Sequence, residues 1–466
     1  MELLALVALL GVPAMAGPGP AISSGTVDLR QLNATMPPKS PPVLKKAGDL
    51  SKPAVGPGYT IMPLPAFVYD RNEGAWIGGL TPIFRANAQG QVEDIYAPLY
   101  LHNKFIGETF TMNYFGYRHE TTSYHVILSR ATKIEHDYEF GYQNLAASDG
   151  RYIVGLQAFS NKSAFNRFFG FGNNTVETQE TQYTMSDNTL KFSGGINFSR
   201  QVALIATERY RDVHVEDGAS PTLPQTVDQF PDVPGINGAS IVGQGLTLSY
   251  DSRDNANTPL QGSYATFLTE YDENIKFSER NHWWRLTGED RNYWPHADDR
   301  AVFVSHLLLD GVVGQDENSS QEDTIEQDTG QVDDFGNPIL QPVISRRLVR
   351  QGVPYYERPT LGGDTTLRGF GRGRYVSNFA WLVNFEERIR VFHRAIMGTV
   401  VELEAAPFID IGRVGRSITA DGIIKDAQIN PGIGLRMLAR PNIAGRFDMG
   451  WGRDGSAIFV GLDYPF

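Results

Sequence analysis

Charged side chains set into apolar alternation are the residues of this chain best placed to do chemistry. In 399–412, Thr399, Val401, Leu403, Ala405, Ile409 and Ile411 fall on one face of a strand, and Glu402, Glu404 and Asp410 fall on the other. Asn384, Glu386 and Arg388 share a face one segment upstream. Earlier still, Arg368 stands in a glycine-rich stretch, LGGDTTLRGF, that runs from Leu361 to Phe370 and includes Gly362, Gly363, Leu367 and Gly369. The chemistry open to such a set is charge pairing, because a guanidinium fork offers rigid bidentate hydrogen bonds to carboxylates. Covalent chemistry finds no support: there is no GxSxG elbow and no persuasive Ser/His/Asp arrangement, so no catalytic residue is expected. The nine histidines show no HExxH or other ligand spacing and cysteine is absent, so neither a metal site nor a cofactor is expected.

Strands must position these charges, and the strands must meet lipid. No run of eighteen apolar residues is present beyond the N-terminus, so the chain does not cross a bilayer as a helix. Barrel strands spread their hydrophobicity over alternate residues, which mean hydropathy (−0.28) averages away. The 20 Tyr, 26 Phe, 6 Trp and 48 Gly suit aromatic girdles and tight turns. Glu402, Glu404 and Asp410 are too costly to face hydrocarbon and must point inward. The predicted architecture is all-β: a transmembrane antiparallel β-barrel of 16 strands, near 75–86, 94–103, 105–117, 122–132, 134–146, 150–162, 190–210, 241–251, 262–271, 282–294, 301–313, 379–392, 396–412, 428–440, 444–451 and 457–466. In 163–190, which contains FFGFGNN from Phe168 to Asn174, a long turn and a strand fit equally well. A soluble sandwich would show similar alternation, but not the export signal with a terminal aromatic strand. The net charge of −12, without a basic block, argues against a nucleic-acid partner.

Export is read from Leu3 to Leu10, an apolar core, and from Ala14-Met15-Ala16, which predicts a signal peptide 1–16 cleaved before Gly17. Glu2 departs from the expected basic start. Residues 17–66 are rich in Pro, Gly and Ser and read as a periplasmic linker, leaving 67–466 for the barrel. Within 315–345 lie Asp316, Glu317, Glu322, Asp323, Glu326, Asp328, Asp333 and Asp334 with no Lys or Arg, which predicts a solvated surface insertion whose spacing does not match a calcium loop.

Four stretches in order resemble the BamA/TamA superfamily of outer-membrane assembly barrels, the bacterial surface-antigen barrel family. They are the loop motif Leu361 to Phe370; Gly245 to Gly262, GLTLSYDSRDNANTPLQG, with Asp251, Arg253, Asp254, Asn255, Pro259 and Gly262 as the strand–turn signature; Asn384 to Arg388, similar to N-x-E-x-R; and FIDIGRV, Phe408 to Val414, similar to F-x-D-x-G-x-V. The likeness covers the C-terminal half strongly and 67–240 only diffusely.

The resemblance implies that the loop folds into the lumen and that Arg368 pairs there with Glu386 and Asp410. Such a pair is either a working lock or a stabilising plug, since a buried ion pair alone does not establish function. Gly362, Gly363, Gly369, Gly371 and Gly373 would permit positive φ in a loop folding back. Ile458, Val460, Leu462, Tyr464 and Phe466 share one predicted lipid-facing side and look like an outer-membrane β-signal, whose implied reader is the host assembly machinery. The implied task is insertion, assembly or translocation of protein at the outer membrane, with outer-membrane lipids and a protein substrate or secreted partner around it. Family insertases carry polypeptide-transport-associated domains before the barrel, and the roughly fifty residues here are too few for one, so a member lacking them is expected. The alternative is a passive pore or lipid-handling barrel. An outer-membrane hydrolase ranks last.

Overall fold

In the computed structural model the described residues are 58–61, 63–70, 72–88, 92–119, 121–255, 258–276, 280–298, 300–314, 317–332, 338–396, 399–418, 424–439, 443–461 and 464–466. The expected signal peptide and the linker as far as residue 57 lie outside them. The first half of the chain carries β1 (Gly58–Ile61), β2 (Leu64–Asp70), β3 (Gly74–Leu80), β4 (Ile83–Ala86), β5 (Val92–Asn103), β6 (Gly107–His119), β7 (Thr122–Ala131), β8 (His136–Ala146), β9 (Tyr152–Phe168), β10 (Thr181–Asn197) and β11 (Val202–Asp217). The second half carries β12 (Ala239–Asp251), β13 (Gly262–Asn274), β14 (Asn281–His296), β15 (Ala301–Gly314), β16 (Glu317–Val332), β17 (Pro338–Gln351), β18 (Thr360–Leu361), β19 (Tyr375–Val376), β20 (Phe379–Ile396), β21 (Thr399–Gly415), β22 (Gln428–Ala439), β23 (Ile443–Gly452) and β24 (Gly455–Gly461).

Twenty of these strands, β1 to β15 and β20 to β24, form one antiparallel sheet. β1 pairs with β4 and β2 with β3, while β3 and β4 both pair with β5. Each of the first two traverses of the wall is therefore one strand interrupted at a proline, Pro63 and Pro82, which has no N–H to give the ladder. Counted as traverses, the wall has eighteen strands among the described residues rather than the sixteen expected. One extra strand is the first, which begins at Gly58, inside the stretch read as linker. The other comes from 190–210, which is two strands, β10 and β11, separated at 198–201. That turn lacks Gly and Pro; the Ser199 hydroxyl builds it by accepting from the N–H groups of Gln201 and Val202, both at 3.1 Å.

The wall strands alternate as the lipid argument requires. Phe110, Leu128, Phe192, Phe267 and Trp284 project outward with half or more of their surface exposed, which for a sheet this wide marks an apolar solvent outside. Glu402, Glu404 and Asp410 are buried on the inner face. Connections alternate in length, and the longest, 169–180, 218–238, 315–378 and 416–427, all leave the same end of the sheet. That long-loop end is covered: Phe168 at the end of β9 packs there with Val233, Ile236, Tyr355, Tyr356 and Val376 from two connections in one apolar cluster. The expected solvated insertion contains instead the hairpin β16–β17, paired from Glu317 with Gln351 onward. The sheet curls until β2 lies alongside β24. Among the described residues, no hydrogen-bonded ladder joins these two strands.

Candidate functional site

The loop between β17 and β20 runs into the interior and brings Arg368 to the inner face of β20 to β23. Its Nη1 donates to Glu386 Oε2 at 2.6 Å, its Nε and Nη2 donate to Asp410 at 3.0 and 2.8 Å, and its backbone N–H donates to the same carboxylate at 2.9 Å. Asp448 stands 3.7 Å away. The strand register makes the cluster possible, because Asn384 and Asp410 are direct partners across β20 and β21. Asn384 Nδ2 donates to Asp410 at 2.7 Å and to the Thr366 carbonyl at 2.9 Å, tying wall to loop. Arg388 and Arg436 donate to the two Glu386 oxygens, both at 2.9 Å. The guanidinium also lies over the Phe408 ring, 3.5 Å from its centroid. Burial would push the Arg368 pKa down, but Asp410, Glu386 and Asp448 outweigh it and hold the value above the usual one.

Glycines fit the loop to the wall in two ways. Gly362 and Gly363 have φ of 111° and 115°, and Gly373 has 74°, a region that favours glycine. Gly369 and Gly371 do not, which corrects the expectation for those two. Gly369 is needed for close approach, since a Cβ there would stand 2.8 Å from the Gly452 nitrogen and 2.5 Å from Asn430 Nδ2. The wall reciprocates at Gly450, where a Cβ would meet the Arg368 carbonyl at 2.5 Å. Leu367 and Phe370 seat the loop by packing with Leu361, Tyr375, Leu382 and Val414 in a fully buried cluster.

A second anchor of opposite polarity was not read from the sequence. Glu357, just before the loop motif, accepts from Arg211 Nη1 at 2.6 Å and from Arg209 Nη1 at 3.2 Å, and Arg285 Nη2 approaches it at 3.5 Å. These arginines are themselves paired, Arg209 with Asp272 at 2.6 Å and Glu270 at 3.1 Å, Arg211 with Asp187 at 2.6 Å, and Arg285 with Asp310 at 3.2 Å. A Cβ on Gly243 would come within 2.4 Å of Asp272 Oδ1, so the glycine makes room for the group. Burial would raise the Glu357 pKa, but Arg209, Arg211 and Arg285 hold it well below the usual carboxylate range. The available signal was two acids and two arginines spaced by two residues, Glu270 with Asp272 and Arg209 with Arg211, each pair on one face of an amphipathic strand.

The other singled-out residues lie elsewhere. Asp251, Arg253, Asp254, Asn255, Pro259 and Gly262 run from the last residue of β12 to the first of β13. Arg253 Nη2 donates to Asp251 at 2.6 Å, Asp254 Oδ1 accepts from the Asn255 and Leu260 N–H groups at 3.0 and 2.9 Å, and Gly262 has φ 100° with the Ser252 carbonyl in the way of any Cβ. These contacts build a turn. Of the terminal residues, Ile458 and Val460 lie on the outer side of β24 and Leu462 is outside the described residues. Tyr464 and Phe466 do not continue that face, because both rings turn inward and are buried. Pro465, without an N–H, suits the departure. Tyr464 donates to Glu404 at 2.8 Å, and Phe466 stacks on His306 with centroids 5.0 Å apart and has the Arg368 guanidinium 5.3 Å from its own.

A curled antiparallel sheet with apolar residues outside, charges inside and a loop arginine locked to strand acids has the architecture of a membrane β-barrel. Residues 120–452 match the Omp85 superfamily domain, and the chain belongs to that superfamily, as the motif resemblance implied. A comparison with curated proteins finds no match. Among solved structures, the chain is similar to BamA from Haemophilus ducreyi lacking POTRA domains 1–3, at 12% identity and TM-score 0.49, with 87% of this chain and 74% of that one covered. It is also similar to CdiB from Acinetobacter baumannii (13% identity, TM-score 0.38, 87% and 60% covered) and CdiB from Escherichia coli (10%, 0.44, 87% and 62%). It therefore spans less than two thirds of either CdiB chain.

Proposed function

We propose that this chain is a non-enzymatic outer-membrane barrel that inserts, assembles or translocates protein, with the Arg368 loop as an internal brace beside a labile seam. One observation carries the reading: among the described residues β2 and β24 lie side by side without a ladder, whereas the other neighbours in the wall are paired. Two strand edges left open in lipid form a template to which an incoming strand adds by backbone hydrogen bonding. A passive pore would need a clear lumen. Here the loop and Tyr464 to Phe466 occupy the interior, and aromatic side chains cover the long-loop end, which we read as external because the short turns gather at the other. Outer-membrane lipids surround the wall, and the partners are an unfolded barrel protein or a secreted protein, supplied with the help of host assembly machinery.

The test is reconstitution of the purified barrel in liposomes, followed by addition of an unfolded outer-membrane protein and measurement of its protease-protected insertion. Acceleration by the wild type that is lost in a folded Arg368→Ala variant supports the reading. No acceleration, with steady conductance through both proteins in planar bilayers, leaves a pore and overturns it.

A further inference from the structure

We infer that Arg372 and Arg374 strap the seam shut at its long-loop end, so that it is hinged there and parts from the short-turn end. The inference rests on the reading that the seam is labile. It concerns residues beyond the Arg368 lock.

The two strands flanking the seam are each joined to their neighbour by a tight turn at the long-loop end, 71–73 between β2 and β3 and 453–454 between β23 and β24. Each turn presents one acid, Glu73 and Asp454. Arg372 serves the first turn: its Nη1 is 3.6 Å from Glu73, and its carbonyl accepts from Asn72 Nδ2 at 3.1 Å. Arg374 serves the last turn, donating from Nε to Asp454 Oδ2 at 2.5 Å. Two residues apart in an extended chain would point the same way. Gly373 between them, at φ 74°, turns the backbone so that neighbouring arginines reach opposite sides of the seam.

A second ply comes from the 169–180 connection and the end of β9, including the FFGFGNN stretch. Arg167 Nη2 donates to the Asn72 carbonyl at 2.8 Å on the first turn's side. On the other side, Thr175 accepts from Arg374 through its hydroxyl and its carbonyl, at 2.8 and 2.9 Å, and its carbonyl also accepts from Arg453 beside Asp454. The plies are joined where the Gly172 N–H donates to the Val376 carbonyl at 2.8 Å. Arg374 and Asp454 are almost wholly buried, so water screens their pair little.

Among the described residues, no comparable set of contacts spans the short-turn end. β24 pairs with β23 from Gly452 opposite Gly455 to Arg446 opposite Gly461. The last described residues, Tyr464 to Phe466, have left the wall for the interior. A seam held at one end and open at the other parts as a hinge does. The segment that carries the Arg368 lock also carries the strap, four and six residues on, so displacement of the loop releases the hinge.

The chain contains no cysteine, which gives a clean labelling test. Ala66 on β2 is buried beside the seam, and Ile205 on β11 is buried in a small cluster with Leu145 and Ile153, away from it. Single Ala66→Cys and Ile205→Cys proteins in liposomes are labelled with a maleimide, with wild-type arginines, with Arg372→Gln plus Arg374→Gln, and with Arg372→Lys plus Arg374→Lys. Heat modifiability on gels reports folding. The inference expects labelling at Ala66→Cys to quicken by about tenfold or more in the Gln pair, by less in the Lys pair that keeps the charges, and not at Ile205→Cys. An unchanged rate at Ala66→Cys in folded protein overturns it, as does equal quickening at both positions, which would mean general loosening. Should the Gln pair not fold, Glu73→Gln with Asp454→Asn removes the acids instead and is read the same way. Labelling requires no substrate, so failure of the insertion assay and failure of the strap are separate results.

Discussion

The two ends of the loop are held by opposite arrangements. At Arg368 one cation on the loop enters a wall of acids, Asp410, Glu386 and Asp448, with Arg388 and Arg436 balancing them from behind. At Glu357 one acid on the loop enters a wall of three arginines, already matched by Asp187, Glu270, Asp272 and Asp310. Removing the first loop charge leaves Asp410 with Asn384 alone among the partners described above. Removing the second leaves three arginines that still face four carboxylates. The same kind of contact is therefore indispensable at one end and supportive at the other, because the wall at Glu357 is closer to neutral without it.

Arg368→Ala should give the largest loss, about 3–5 kcal/mol in urea unfolding followed by heat modifiability, the cost of leaving a buried charge without its partner. Glu357→Ala should lose about 1–3 kcal/mol, in the range of a charged hydrogen bond removed where alternatives remain. Equal losses would break the comparison. Glu357 also sets a pH expectation. Its pKa is held below the ordinary value, so its contribution is present above the unfolded carboxylate range and disappears only as pH falls through the much lower folded value. The second anchor should therefore persist at pH 5.

Glu135, in the turn between β7 and β8, sharpens the contrast as a buried acid with no guanidinium beside it among the described residues. It accepts from the Ala164 N–H at 2.9 Å, and burial raises its pKa to about 7. A raised value favours the folded state below pH 4.5 and costs stability as pH rises through 7. Glu135→Gln should thus be neutral at pH 4 and stabilise by about 1–2 kcal/mol at pH 8, with water reaching the turn reducing the full effect. A gain that is the same at both pH values would remove burial as the cause.

How much of this was legible follows from where each signal resides. The wall was readable because lipid outside and charge inside impose alternation on single strands, so Glu402, Glu404 and Asp410 declare their face. The strand count was not, because prolines split the first two traverses and a serine-built turn at 198–201 carries none of the usual punctuation. Arg368 could be found since its motif is local and resembles a family pattern. Glu357 could not, because its partners come from β11 and β14, 146 and 72 positions away for Arg211 and Arg285, and no local spacing records that meeting. The terminal strand misled for a related reason. Alternation continues through Tyr464 and Phe466, yet Pro465 and the rings of His306 and Arg368's neighbourhood draw the chain inward, which only tertiary packing decides.

The central claim is that Arg368 holds the loop to the wall through Asp410, and a double-mutant cycle tests it most directly. Urea unfolding of the wild type, Arg368→Ala, Asp410→Asn and the double variant gives the coupling between the two side chains. The account predicts strong non-additivity, about 2–3 kcal/mol, with the double variant little worse than the worse single one. Losses that add to within about 0.5 kcal/mol would mean the two residues act independently and would contradict the lock.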